Sequence, residues 1–283
     1  MERMKRIVTV QDLTCVGKCS LTVALPIISA MGVEASVLPT AVLSSHTLFP
    51  HPSVCDLTAE IPRITSHWRD IGVTFDGIYT GYLGSMEQLD LISPFIDGFR
   101  GGGFVFIDPV MGDHGHLYAR FTPDFVGCMA ALCAKADVIV PNLTEACLLL
   151  NRPYIGETYS EETIRGILRA LTGLGAKQAI VTGVSFSPDR LGAMAYDSVT
   201  DTYVSSFGER VPGSFHGTGD IFASVCVGAL TGGRTLREAV ALAVGFTCEC
   251  IGQAAALPER SRAFGVPFEW ALPLLIEKAH TSL

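Results

Sequence analysis

Charge is scarce in this sequence: Asp, Glu, Lys and Arg make up 17% of its 283 residues, and acids outnumber bases to leave a net charge of −8. No dense run of Lys and Arg occurs, which argues against an extended surface for nucleic-acid phosphates. A small anion held by local N–H groups stays open. No uninterrupted apolar run approaches the roughly 20 residues of a membrane span. The opening MERMKRIVTVQDL lacks the long apolar core of a secretory leader, so a cytoplasmic location is expected. There is no low-complexity linker and no repeat, so one domain over 1–283 is expected. Zinc-ribbon spacing is missing as well. The nine cysteines are odd in number and scattered, and neither Cys15 with Cys19 nor Cys248 with Cys250 has a matching second half, which points to reduced thiols. The seven histidines form no ligand pattern, and His114 and His116 lie in a glycine-bearing loop. Three nucleotide signatures are absent: a Walker A loop, a glycine-rich loop with its paired lysine, and a dinucleotide fingerprint, since CVGKCS after the first strand holds one glycine.

What the sequence does contain is alternation. RIVTVQDL reads as a strand, SLTVALPIISAMG as a helix ended by Gly32, and EASVLPT as the next strand. FDGIYTGYLG, GFVFIDPV, ADVIVPN and QAIVTGV are further apolar, β-branched runs separated by helical patterns. Repeated β-α units imply an α/β fold, a mostly parallel sheet with helices on both faces. LGAMAYDSVTDTYVSSF breaks the pattern and predicts an antiparallel hairpin at a sheet edge. Helices are expected near 217–232, 235–253 and 268–279.

In such sheets ligands gather outside the carboxyl ends of the strands. Asp12, the stretch 40–47, Tyr82, Asp108 with Asp113, Asn142 with Glu145, and Thr182 all fall at predicted strand ends, and HGTGD opens the first of the late helices. Acids, hydroxyls and an anion-binding helix start in one crevice suit magnesium-assisted phosphoryl transfer. Asp220 admits two readings: an N-cap that satisfies orphan N–H groups, or a base beside an anion held by Gly217, Thr218 and Gly219. Asp108 precedes a proline and could close a turn, while Glu145 could partner Asn142 in a capping box.

QDLTCVGKCSLTVALPIISAMG, VLSSHT, TGYLGS, DPVMGD, PNLTEA and GTGD, in that order from about Arg6 to Gly252, resemble the ribokinase-like superfamily and its pyridoxal kinase branch. The resemblance implies a three-layer α/β/α sandwich with an antiparallel edge hairpin and transfer of the ATP γ-phosphoryl group to the 5′-hydroxymethyl of pyridoxal, pyridoxine or pyridoxamine. It implies Asp220 as the base beside Gly217, Thr218 and Gly219, with Asp108, Asp113 and Glu145 around Mg2+. Asn142 and Thr182, together with Asp108 and Glu145, would serve the nucleotide or a monovalent cation such as K+. Asp12, His46, Thr47 and Tyr82 would serve the vitamin ring. Asp12 departs from the serine common at that place, and Leu48 stands where small or polar residues are usual. DHGHLYARFTP resembles a flap over ATP. The apolar, proline-bearing LSSHTLFPHPSV at a sheet edge fits a homodimer, as relatives commonly form. A hydroxymethylpyrimidine kinase of the same fold is an alternative, although many carry cysteine in place of Asp220; a silent vitamer-binding protein would not need the base, the anion loop and the acids together.

Overall fold

The computed structural model describes residues 3–280. Its first half runs β1 (Arg6–Thr14), α1 (Leu21–Ala30), β2 (Glu34–Leu43), β3 (Val54–Asp56), α2 (Ile61–Asp70), β4 (Gly77–Thr80), α3 (Met86–Phe99), β5 (Phe104–Ile107), β6 (Gly112–Asp113), β7 (His116–Leu117), α4 (Pro123–Cys133), β8 (Val138–Ile139) and α5 (Leu143–Leu149). The second half runs α6 (Glu161–Thr172), β9 (Gln178–Ser187), β10 (Arg190–Asp197), β11 (Thr202–Glu209), α7 (Thr218–Thr231), α8 (Leu236–Ala255), α9 (Glu259–Arg262) and α10 (Leu272–His280).

Nine strands form one sheet in the order β11-β10-β9-β8-β5-β4-β1-β2-β3. From β9 to β2 every neighbouring pair is parallel. Both faces are covered, so the strands read as continuous apolar runs rather than as alternation. On β1, Ile7 packs with α1, α7 and α8, whereas Val8 and Val10 face the core shared with α2 to α6. The result is the expected α/β/α sandwich. The predicted hairpin is β10–β11, antiparallel from Arg190↔Glu209 to Asp197↔Thr202.

Two small elements modify the sequence reading. β3 returns antiparallel to the end of β2, so the chain itself covers part of the edge where a partner subunit is expected. All three β3 residues are exposed, and they become the new edge. The flap-like segment holds a two-stranded ribbon, β6–β7.

Helix starts follow side-chain chemistry. Ser85, Thr122 and Ser160 each accept a main-chain N–H at the third helical position, and Asn142 with Glu145 and Thr235 with Glu238 form capping boxes. α7 begins differently: Gly217 stands at its N-cap with φ 84° and no side chain caps it. Its first N–H groups are therefore left for something else to satisfy.

Candidate active site

Asp220 lies in the first turn of α7, three residues after the cap, so the N-cap reading of the sequence gives way to Gly217 in that role. The apolar run behind it, Ile221 to Ala229, is buried throughout and fixes the helix against the sheet. Gly217 needs to be glycine twice over: its φ is positive, and a Cβ there would come within 2.1 Å of the Lys18 carbonyl oxygen. Gly219 is different. It is exposed, and a Cβ on it would meet open space. An open, uncapped helix start over a glycine is a cradle that an anion can enter.

Asp220 is partly open to the cleft but deeply surrounded. Burial pushes its carboxyl up to about 7, against a main-chain N–H from Ser20 that holds it down, and neighbouring Asp12 raises it further. A carboxyl titrating near neutrality can accept a proton and release it again.

The ladder carries the other acids to the same end of the sheet. Asp108 follows β5 directly, its N–H donating to the Thr80 carbonyl at 2.9 Å, and Asn142, just past the end of β8, bridges to Thr182, which lies in the middle of β9 rather than at the expected strand end because β9 runs on to Ser187 as the partner of β10. Asp108 and Glu145 are 8% and 3% exposed, and neither they nor Asp220 forms an ion pair with Lys or Arg among the described residues. Burial first, then Glu145 and Asp220, drive the Asp108 carboxyl well above its ordinary value. Glu145 is raised by burial too, opposed by main-chain N–H bonds and raised again by Asp113. Carboxyls raised in this way are ones that a bound cation would return to the charged form.

Glu145 has two roles at once. Its Oε1 accepts the Met111 N–H at 3.0 Å, its Oε2 accepts the Asn142 N–H at 2.9 Å, and its own N–H donates to Asn142 Oδ1 at 2.9 Å. The capping-box reading is therefore real and coexists with the acidic cluster. Asn142 also donates from Nδ2 to the Gly112 carbonyl at 2.9 Å, so both ends of its amide hold the β6–β7 ribbon and α5 in place. Asp113 lies on that ribbon, exposed, and Gly115 is tied down by its N–H to Thr144 Oγ1 at 2.9 Å. No group of three or more His, Cys, Asp or Glu among the described residues is arranged to grip a metal directly.

On the acceptor side Asp12 is 4% exposed at an irregularity of β1. Its Oδ1 accepts from Ser20 Oγ at 2.7 Å and its Oδ2 from Thr14 Oγ1 at 2.9 Å, while burial raises its carboxyl. Tyr82 is half-buried, its ring centroid 5.8 Å from that of Phe121. Burial raises the phenol, and the Arg120 cation beside it works the other way. Thr47 is exposed. His46 is 2% exposed, with both ring nitrogens engaged by main-chain groups.

Three residues of this crevice were not singled out by the sequence reading, although each lies inside a segment quoted there. Arg120 sits beside Tyr82; Tyr118 lies among Glu145, Asp113, Asp108 and Asp220, and burial with those four charges raises its phenol. Both sit inside DHGHLYARFTP, where polarity alone marks a loop. Cys19, buried next to Asp220 and Asp12, is pushed up to about 12 by burial and then by Asp220, and stays a neutral thiol.

Residues 25–263 match the family model described as phosphomethylpyrimidine kinase. A candidate phosphomethylpyrimidine kinase of Bacteroides thetaiotaomicron, crystallised with pyridoxal, is 39% identical, with TM-score 0.91 over 96% of each chain. The crystal structure of pyridoxal kinase from Lactobacillus plantarum is 32% identical with TM-score 0.88, covering 99% of this chain and 100% of that one. A candidate pyridoxal kinase of Caenorhabditis elegans is 33% identical over 160 residues, 53% of this chain, and the match spans about half, 47%, of that relative's length.

Proposed function

The chain belongs to the phosphomethylpyrimidine kinase family, in the pyridoxal kinase branch of the ribokinase-like superfamily, and on that premise we propose that it transfers the ATP γ-phosphoryl group to the 5′-hydroxymethyl oxygen of a B6 vitamer. The observation that carries this reading is Asp220, a carboxyl titrating near neutrality on a buried helix whose uncapped start opens over Gly219. As the acceptor oxygen bonds to the γ-phosphorus and the bridge to ADP breaks, the hydroxyl proton passes to Asp220. The N–H groups of Gly217, Thr218 and Gly219 face the charge that moves.

The donor set suits a hard divalent ion: Asp108, Glu145 and Asp113 offer oxygen only, and neither Asp108 nor Glu145 pairs with a Lys or Arg among the described residues, while Asp113 has the His114 ring 3.5 Å away. Bound there, Mg2+ would neutralise the phosphates of ATP. Asn142 and Thr182 border the nucleotide side, and a monovalent cation such as K+ belongs to the same reading.

Asp12, Thr47 and Tyr82 serve the ring. A carboxylate at Asp12 and a cation at Arg120 complement a 3-hydroxypyridine, whose ring nitrogen takes a proton and whose phenol gives one up. An aminopyrimidine has no phenol for Arg120. This favours a B6 vitamer over hydroxymethylpyrimidine. Transfer also needs a dry site, and on this reading the 112–121 segment, with its β6–β7 ribbon, is the flap that covers the phosphates.

We place the enzyme in the cytoplasm as a homodimer. No helix among the described residues is long and apolar enough to cross a membrane. The exposed β3 edge, with Val54 48% and Leu48 67% exposed, is the surface a second copy would cover. The test of function is ADP production with pyridoxal, pyridoxine, pyridoxamine and hydroxymethylpyrimidine in parallel, with an acceptor-free control. Turnover dependent on a vitamer supports the reading; preference for the pyrimidine, or ADP release independent of acceptor, overturns it. A monomer by light scattering at every concentration removes the dimer.

A further inference from the structure

His46 is the most constrained ring in the cleft. Its Nε2 lies 2.9 Å from the Ala263 carbonyl, which can only accept, so that nitrogen carries the proton. Nδ1 is left with a lone pair, and it accepts the Leu48 N–H at 3.3 Å. One face stacks on Phe49 at 4.7 Å and 29°; His216 packs against the ring at 4.4 Å and 48°. Its edge presses on Gly17, where a Cβ would come within 2.1 Å of Cδ2. Neither nitrogen is free to meet an acceptor ring unless a main-chain bond breaks.

The partner carbonyl matters as much as the ring. Ala263 belongs to a short stretch between α9 and α10 that ties three loops together. The Ala263 carbonyl accepts the His46 Nε2–H, the Phe264 carbonyl accepts the Lys18 N–H at 3.0 Å, and the Val266 N–H donates to the His216 carbonyl at 3.3 Å. Phe264 also packs on Phe49 at 5.1 Å. His216 directly precedes Gly217, so the ring that His46 supports sits one residue from the anion cradle. Gly217 in turn is lodged against Lys18. The four residues 263–266 therefore set how loops 15–20, 44–49 and 213–219 meet, and His46 is the wedge at their centre.

We propose that His46 is a positioning residue for the phosphoryl site: it acts through His216 on the Gly217–Gly219 cradle and Asp220 rather than by touching the acceptor ring. This rests on the reading of that cradle as the site of the transferred phosphoryl group. It places the effect of His46 on nucleotide and turnover, not on acceptor affinity.

The experiment is steady-state kinetics of His46→Ala, His46→Gln, His216→Ala and the double variant His46→Ala/His216→Ala, with both substrates varied. Calorimetric titration of ATP in the absence of acceptor runs alongside, and thermal unfolding confirms that each variant is folded. His46→Ala is expected to lower kcat about tenfold or more and to raise the KM for ATP by a similar factor, with the acceptor KM within about twofold. His216→Ala should match it, and the double variant should be no worse than either single change, because both break one support. His46→Gln, whose amide can still donate toward Ala263, should recover part of the loss. A tenfold rise in acceptor KM with kcat and ATP KM retained would make His46 a substrate contact and overturn the proposal. So would additive losses in the double variant, or unaltered kinetics. If the wild type phosphorylates no vitamer, the functional reading fails by itself, and ATP affinity still decides the role of His46.

Discussion

Replacing Asp220 by Asn should move catalysis and stability in opposite directions. The carboxyl is raised from 3.8 to about 7, mainly by burial. The native state therefore holds this proton more tightly than the unfolded chain, and the stability contributed by the neutral form is lost as pH rises through that window. At about 1.4 kcal/mol per pH unit the ceiling is about 4 kcal/mol. Asp220 is partly open to the cleft, and water and salt there cut this to about 1–2 kcal/mol. Asn keeps an oxygen for the Ser20 N–H and carries no charge. It should thus raise Tm by roughly 2–6 °C at pH 8, by less at pH 6, and by nothing near pH 4. Meanwhile vitamer phosphorylation should fall about 10²- to 10⁴-fold. Calorimetric unfolding across pH 4 to 8 without nucleotide, and turnover of the same preparations, supply both numbers. A Tm gain that ignores pH, or a Tm loss at pH 8, would refute the burial argument; near-normal turnover would refute the base.

Glu145→Gln places an amide N–H2 against one of two main-chain donors, so unfolding in urea should show a loss of about 1–3 kcal/mol, together with a higher Mg2+ requirement in the activity assay. Gly217→Ala sets a Cβ 2.1 Å from the Lys18 carbonyl at a φ of 84°, and a loss of about 1–3 kcal/mol with weakened ATP affinity by titration is expected. Asp12→Ser removes the carboxylate from the ring side and should change the pyridoxamine-to-pyridoxal ratio of kcat/KM more than the KM for ATP. An unchanged ratio across pH would leave Asp12 as support for Ser20 and Thr14.

The sheet and its helices were legible because both covered faces make strands that read as unbroken apolar runs, each ended by a polar residue. Asp108 and Asn142 follow strand ends as that punctuation indicated, whereas Thr182 lies inside β9, whose polar residues after Val181 do not stop a strand paired with β10; Asn142 with Glu145 also carries the local signature of a capping box, which the structure contains. β3 and the β6–β7 ribbon were not legible, since strands of two or three residues leave no periodicity to detect. Asp220 was ambiguous between cap and base, because both uses want an acid behind small residues at a helix start; the placement of Gly217 at the cap removes the first use and leaves the second as the proposal. His46 presents the hardest case. Its partner Ala263 lies 217 positions away in a segment with no motif, and a carbonyl contributes nothing to a sequence pattern.

The anchoring of α7 has a consequence for timing. Its residues from Ile221 to Ala229 sit in the core shared with α1 and α8, so the proposed base rides on an element whose amides should exchange with solvent only when the whole molecule opens. The ribbon carrying Asp113 is tethered at Gly112 and Gly115 and is otherwise largely exposed. On the proposed function, opening and closing over nucleotide proceeds on that side at little thermodynamic expense, while the proposed proton acceptor stays still. The rhythm of turnover would be set by the ribbon, and its fidelity by the helix.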